Sequence, residues 1–132
     1  MSKAYYKTYD EIKRIGRKYY NDKGFCAVVA VAVACGVGFG KAYHTLKRQG
    51  RIHGNGTYTR DIMQALETLG MKMTPIEGVH GRQVRTMPKV LGKGMFIVFI
   101  RGHVLTIRDG QVVDWTEGRA HRVIHAWKIE EA

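Results

Sequence analysis

Cys26, His103 and Asp114 are the residues of this 132-residue chain whose types and positions suit nucleophilic chemistry. A cysteine attacks as its thiolate, and the unpaired amides and dipole of a helix N-terminus stabilise that anion. Cys26 stands just after the turn-rich run Asn21–Gly24 and opens the Ala/Val run Cys26–Cys35, CAVVAVAVAC. The alternation of Val and Ala would also suit a buried strand. Its ten residues and its alanines favour a helix, with Gly36 as terminator. Cys35 then lies at the wrong end of that helix, where the dipole disfavours an anion. Nine residues apart on one helix, the two thiols are separated by roughly 13 Å, too far for a disulfide.

A general base is offered by the second half of the chain. Asp109-Gly110 between His103–Arg108 and Gln111–Trp115 is a strong signal for a two-residue hairpin turn. In that register Arg108 faces Gln111, Leu105 faces Asp114 and His103 faces Thr116. His103, Leu105, Ile107, Val112 and Asp114 therefore share one face, with Asp114 diagonally across from His103. A carboxylate among apolar neighbours needs a partner, and an imidazole so paired is fixed in tautomer and orientation. Taken singly, each residue has a plainer role: a core cysteine, a structural histidine, an aspartate ending a strand.

The order of these parts is a helix-borne cysteine, further helices, a strand opening with Gly-His, then an aspartate one strand later. That order resembles the papain-like cysteine peptidases and amidases, in their compact bacterial and phage branch. The segments NDKGFCAVVAVAVACG, AYHTLKRQGR followed by NGTY, and GHVLTIRDGQVVDW are also similar to small bacterial and phage proteins. The resemblance covers most of residues 21–127. It implies an α+β papain-like fold, with N-terminal helices packed on a C-terminal antiparallel sheet. It implies Cys26 as nucleophile, His103 as base, Asp114 as its orienter, and hydrolysis of an amide or peptide bond through a thioester. That family carries a glutamine several residues before the nucleophile as oxyanion donor. Here Tyr19 and Tyr20 stand there, so the role passes to the nearest amide, Asn21, with backbone N–H groups. Peptide, protein and peptidoglycan-type amides all suit such a triad. The alternative is a catalytically inactive basic protein of the same fold that binds nucleic acid or a host protein.

The elements that must position these residues fit one domain over 1–132. A basic helix is expected within 1–20, with Tyr9, Ile12, Ile15 and Tyr19 on its apolar side. The helical part, 25–70, holds the nucleophile helix, a helix over Lys41–Gln49, a loop over 50–56, and a helix over Arg60–Leu69 with Thr59 as N-cap. Within 71–130 the sheet comprises Met71–Ile76, Met95–Ile100, the hairpin and Arg122–Ile129. Residues 78–94 read as a long loop with a short helix near Val84–Leu91.

Twenty-two Lys and Arg against eleven Asp and Glu give a formal charge of +11. Such a surplus suits anionic partners or a solvated positive face. The basic, tyrosine-rich N-terminal helix offers a contact for nucleic acid, while the favoured arrangement packs its tyrosines on the core and lets its lysines reach solvent. The uncharged stretch Gly24–Gly40 is shorter than the roughly 20 residues that span a bilayer, so no stable membrane insertion is expected. The charged start lacks the apolar stretch of a signal peptide, and the expectation is a cytoplasmic protein of a bacterium or phage-infected cell. No cofactor is implied. Gly36, Gly38 and Gly40 match neither phosphate-loop spacing, because Lys41, Cys35 and Ala42 occupy positions those loops reserve for other residues. The six histidines and two cysteines form no zinc-ligand pattern.

Overall fold

The computed structural model describes residues 14, 26–49, 59–114 and 116–132. The expected turn with Asn21, the loop over 50–56, Trp115 and, apart from Arg14, the basic N-terminal helix lie outside the described residues. The described chain is α+β: helices α1 (Cys26–Cys35), α2 (Phe39–Arg48) and α3 (Thr59–Thr68) come first. Strand β1 (Met71–Pro75), a 3-10 turn (Val84–Thr86) and helix α4 (Met87–Leu91) follow. Strands β2 (Met95–Ile100), β3 (His103–Arg108), β4 (Gln111–Val113) and β5 (Val123–Glu131) complete the antiparallel sheet. Its order is β1-β5-β2-β3-β4, so the last strand is inserted between the first two.

The Ala/Val run is helical because it is packed on all sides: nine of the ten residues of α1 are buried. Small side chains let neighbouring backbones approach, and the buried Thr106 hydroxyl donates to the Ala30 carbonyl at 3.0 Å, tying α1 to β3. Gly36 ends the helix in the left-handed region (φ 65°), where its amide reaches Val33 and that of Val37 reaches Ala32. Helix α2 begins two residues before the expected Lys41. Gly38 is extended at its N-cap, and Phe39 starts the buried stripe Phe39, Ala42, Tyr43, Leu46 at helical spacing. Ile62, Ala65 and Leu66 are the buried face of α3.

Strand β2, MFIVFI, is a continuous apolar run because both of its faces are covered. Ile97 and Phe99 pack with α1, α2 and α3, while Phe96, Val98 and Ile100 join Leu105, Ile107 and Val112 in a second cluster. Val79, Val84 and Met87, from the segment between β1 and β2, close that second cluster. No single described helix is long and apolar enough to cross a membrane, and α1 and α2 meet at a bend of 115°.

Candidate active site

The hairpin forms with the register read from its turn. Arg108 pairs with Gln111, and Asp109 and Gly110 take positive φ of 49° and 79°, the mirror-image turn that matches strand twist. The expected strand over Gln111–Trp115 is shorter: the ladder stops at the pair Thr106–Val113, and Asp114 lies in a bend. The cause is local. Asp114 Oδ2 accepts from the Thr116 amide at 3.1 Å and the Thr116 hydroxyl at 2.7 Å, which curls the chain out of the sheet.

The same oxygen accepts a hydrogen bond from His103 Nε2 at 2.9 Å. A carboxylate oxygen only accepts, so Nε2 carries the proton and Nδ1 is left for a second partner. That partner is Cys26, which is hydrogen-bonded to the His103 side chain. A thiol at the start of α1 and two residues of one distant hairpin thus form a continuous thiol–imidazole–carboxylate relay. The His103 and Asp114 side chains are 11% and 3% exposed, shielding their charges from water.

The pleat alone would keep these groups apart. Leu105, Ile107 and Val112, which alternate in phase with His103 and Asp114, lie in the cluster away from the helices. Cys26 belongs to the helix on the opposite face, among Val104 and Val113. They meet because each stands at an element's end. Cys26 opens α1, His103 opens β3, and Asp114 has already left β4.

Burial by itself raises the pKa of the Cys26 thiol. Hydrogen bonds from the His103 ring and the Val104 amide, the imidazolium charge and the Ala27 amide outweigh it, and the net shift is below the ordinary 9.0. Burial likewise disfavours the charged form of His103. The hydrogen bonds to Asp114 and Cys26 and the negative charge of both reverse this, and its pKa is pushed up to about 9. The two shifts are coupled: each group favours the charged form of the other.

Two contributors escape a reading of sequence. In β3 the odd-numbered amides serve β2, a pattern continued by the bond from the Asp109 amide to Gly94 at 2.8 Å. Val104 therefore directs its N–H to the β4 side, beyond the last β4 pair, and donates it to Cys26. Thr116 is fully buried and holds the carboxylate. The Asp-x-Thr spacing of a side-chain turn was the available signal for it. Thr116→Val removes the hydroxyl and keeps the volume. If the relay drives hydrolysis, kcat/KM should fall about 10- to 100-fold through a misplaced carboxylate, and the alkaline limb of its pH profile should move down toward 6.5. A variant with unchanged rate and limb would remove Thr116 from the positioning of His103.

Beside Cys26 lies a cavity of about 260 Å³ whose described walls include Thr59, Ile62, Phe99, Ile100 and Val104. Gly102, also in its wall, has φ 71°, a conformation that favours glycine. Among the described residues, no group of three or more His, Cys, Asp or Glu side chains could hold a metal ion. Asn21, expected at the oxyanion position, lies outside the described residues. Compared with protein-family models, curated proteins and solved structures, the chain matches none, so its functional reading rests on this geometry.

Proposed function

We propose that this chain is a cysteine hydrolase of papain-like fold that cleaves an amide or peptide bond. The observation that carries the reading is the relay itself: a helix-opening thiol bonded to an imidazole whose far nitrogen is held 2.9 Å from a buried carboxylate. In the first step the Cys26 thiolate attacks the carbonyl carbon, forming a C–S bond and an oxyanion. The Cys26 backbone amide at the helix start and Asn21 are the proposed donors to that oxyanion. The oxyanion collapses, the C–N bond breaks, and Nδ1–H of His103 protonates the leaving amine. Neutral Nδ1 then takes a proton from water, which attacks the thioester. The C–S bond breaks, the acid product leaves, and thiolate and imidazolium are restored. Asp114 stays ionised throughout, stabilising the imidazolium without taking its proton.

The cavity beside the thiol gives one substituent of the substrate an apolar seat, and peptide, protein and peptidoglycan-type amides can all present one. The test is digestion of a peptide library by the folded wild-type chain, with products mapped by mass spectrometry. New termini at defined sites, absent with Cys26→Ala of unchanged circular dichroism, are expected. Identical cleavage by Cys26→Ala would overturn the reading.

A further inference from the structure

The end of the sheet that carries His103 is also where exposed arginines gather. Ile100 of β2 lies opposite both His103 of β3 and Val123 of β5, so Arg101 and Arg122 stand at that end. Segment 79–86 is stitched to 119–123 by the bridge Gln83–Arg122 and by amide bonds from Arg85 to Arg119 and from Val123 to Arg82, at 3.0 and 2.8 Å. This pairing brings Arg82, Arg85 and Arg119 together with Arg122. All five arginines are exposed.

Three of the guanidinium groups are held in place by a single N–H each. Arg122 Nη1 donates to the Gly81 carbonyl at 2.8 Å, Arg82 Nε to the Gly78 carbonyl at 3.1 Å, and Arg85 Nε to Gln83 Oε1 at 2.6 Å. A guanidinium has five donors, so four remain on each for an oxyanion. Among the described residues, none of the five arginines is ion-paired with a carboxylate. Like charges gathered at one end of the sheet repel, and a partner of opposite sign relieves that repulsion.

The cluster is continuous with the relay. The Arg119 amide donates to the Thr116 carbonyl at 2.9 Å, and Thr116 holds Asp114. Arg101 lies between Ile100 and Gly102, both in the wall of the cavity beside Cys26. We infer that this arginine rim selects acidic polypeptide substrates by binding their Asp and Glu side chains near the scissile bond, an inference that rests on the hydrolase reading. The hydrolase reading calls for an amide-bearing chain rather than a nucleic acid, and no Phe, Tyr or Trp among the described residues is exposed beside the arginines to stack bases. Arg82, Arg85, Arg119 and Arg122 border the layer that covers the sheet face opposite α1. Packed layers are about 10 Å apart and an extended chain rises about 3.3 Å per residue. The preferred carboxylates therefore lie about three to five residues from the cleaved bond.

The test uses Cys26→Ala protein, which binds without turnover, and fluorescent peptides with Glu or Gln at those positions. Anisotropy at about 10 mM and about 150 mM salt, where screening differs strongly, should show about tenfold tighter binding of the Glu peptide at low salt. The preference should shrink at high salt and vanish in a folded Arg82→Gln/Arg119→Gln/Arg122→Gln variant. Equal binding of both peptides, or a preference that the triple variant keeps, overturns the inference. So does a DNA oligonucleotide that binds through the same three arginines more tightly than the Glu peptide. Wild-type cleavage is scored separately: a Glu preference without cleavage supports the rim and defeats the hydrolase reading, and cleavage without that preference does the reverse.

Discussion

Cys26→Ala should lower the rate of substrate hydrolysis on the order of 10⁵-fold, and adding His103→Ala to it should cost nothing further. Residues that act as one unit are not additive: without the thiolate, the imidazole has no nucleophile to activate, and the reverse also holds. Asp114→Asn should be roughly 10²-fold milder than Cys26→Ala. An amide oxygen can still accept from His103 Nε2 and Thr116, so the ring keeps its orientation and loses only the charge that stabilises its cation. Cys35→Ala should leave the rate unchanged, because Cys35 is buried at the far end of α1. Rates of these four variants and of His103→Ala alone, each checked for fold by circular dichroism, decide the matter. Independent, multiplying losses for Cys26 and His103 would contradict a shared relay.

The second large effect is on pH dependence. His103 has a folded pKa of about 9 against an ordinary 6.5, so its ion pair is intact below 6.5 and is lost as pH rises through 9. The Cys26 pKa is lowered, so its contribution is present above the ordinary 9.0 and is lost as pH falls through the depressed value. Thiolate and imidazolium therefore coexist between the two folded values. kcat/KM for hydrolysis should be bell-shaped, falling about tenfold per pH unit beyond about pH 9 as the proton donor is lost. Alkylation of Cys26 needs the thiolate and no proton donor, so it should show the acid limb alone. An alkaline fall in both reactions would point to unfolding rather than to His103.

What the sequence discloses follows from how local each signal is. The Asp109-Gly110 turn fixes its own register through backbone sterics, so the approach of His103 to Asp114 follows from residues close together in the chain. The α1 boundaries are likewise legible, from ten apolar residues closed by Gly36. The insertion of β5 between β1 and β2 is not legible, because strand order depends on long-range packing that leaves no periodic trace. The early end of β4 is hidden for another reason: continued pairing competes with the Asp114–Thr116 turn, and propensity does not rank the two. That ending directs the Val104 amide to the thiol, so a part of the site depends on a strand that stops short. The pleat and the turn bring His103 to Asp114, while the meeting with Cys26 needs three element ends at one level, a tertiary fact.

The central claim is that Cys26 is held as a thiolate by His103, and competitive alkylation tests it most directly. Folded wild-type protein is exposed to limiting iodoacetamide at about pH 6, digested, and the Cys26 and Cys35 peptides are quantified. An ordinary thiol there is about 0.3% ionised, so Cys26 should react about 10- to 100-fold faster than that, after allowing for the weaker nucleophilicity of a low-pKa thiolate. His103→Ala should abolish the advantage. Equal labelling of Cys26 and Cys35, or a Cys26 rate indifferent to His103, would contradict the account.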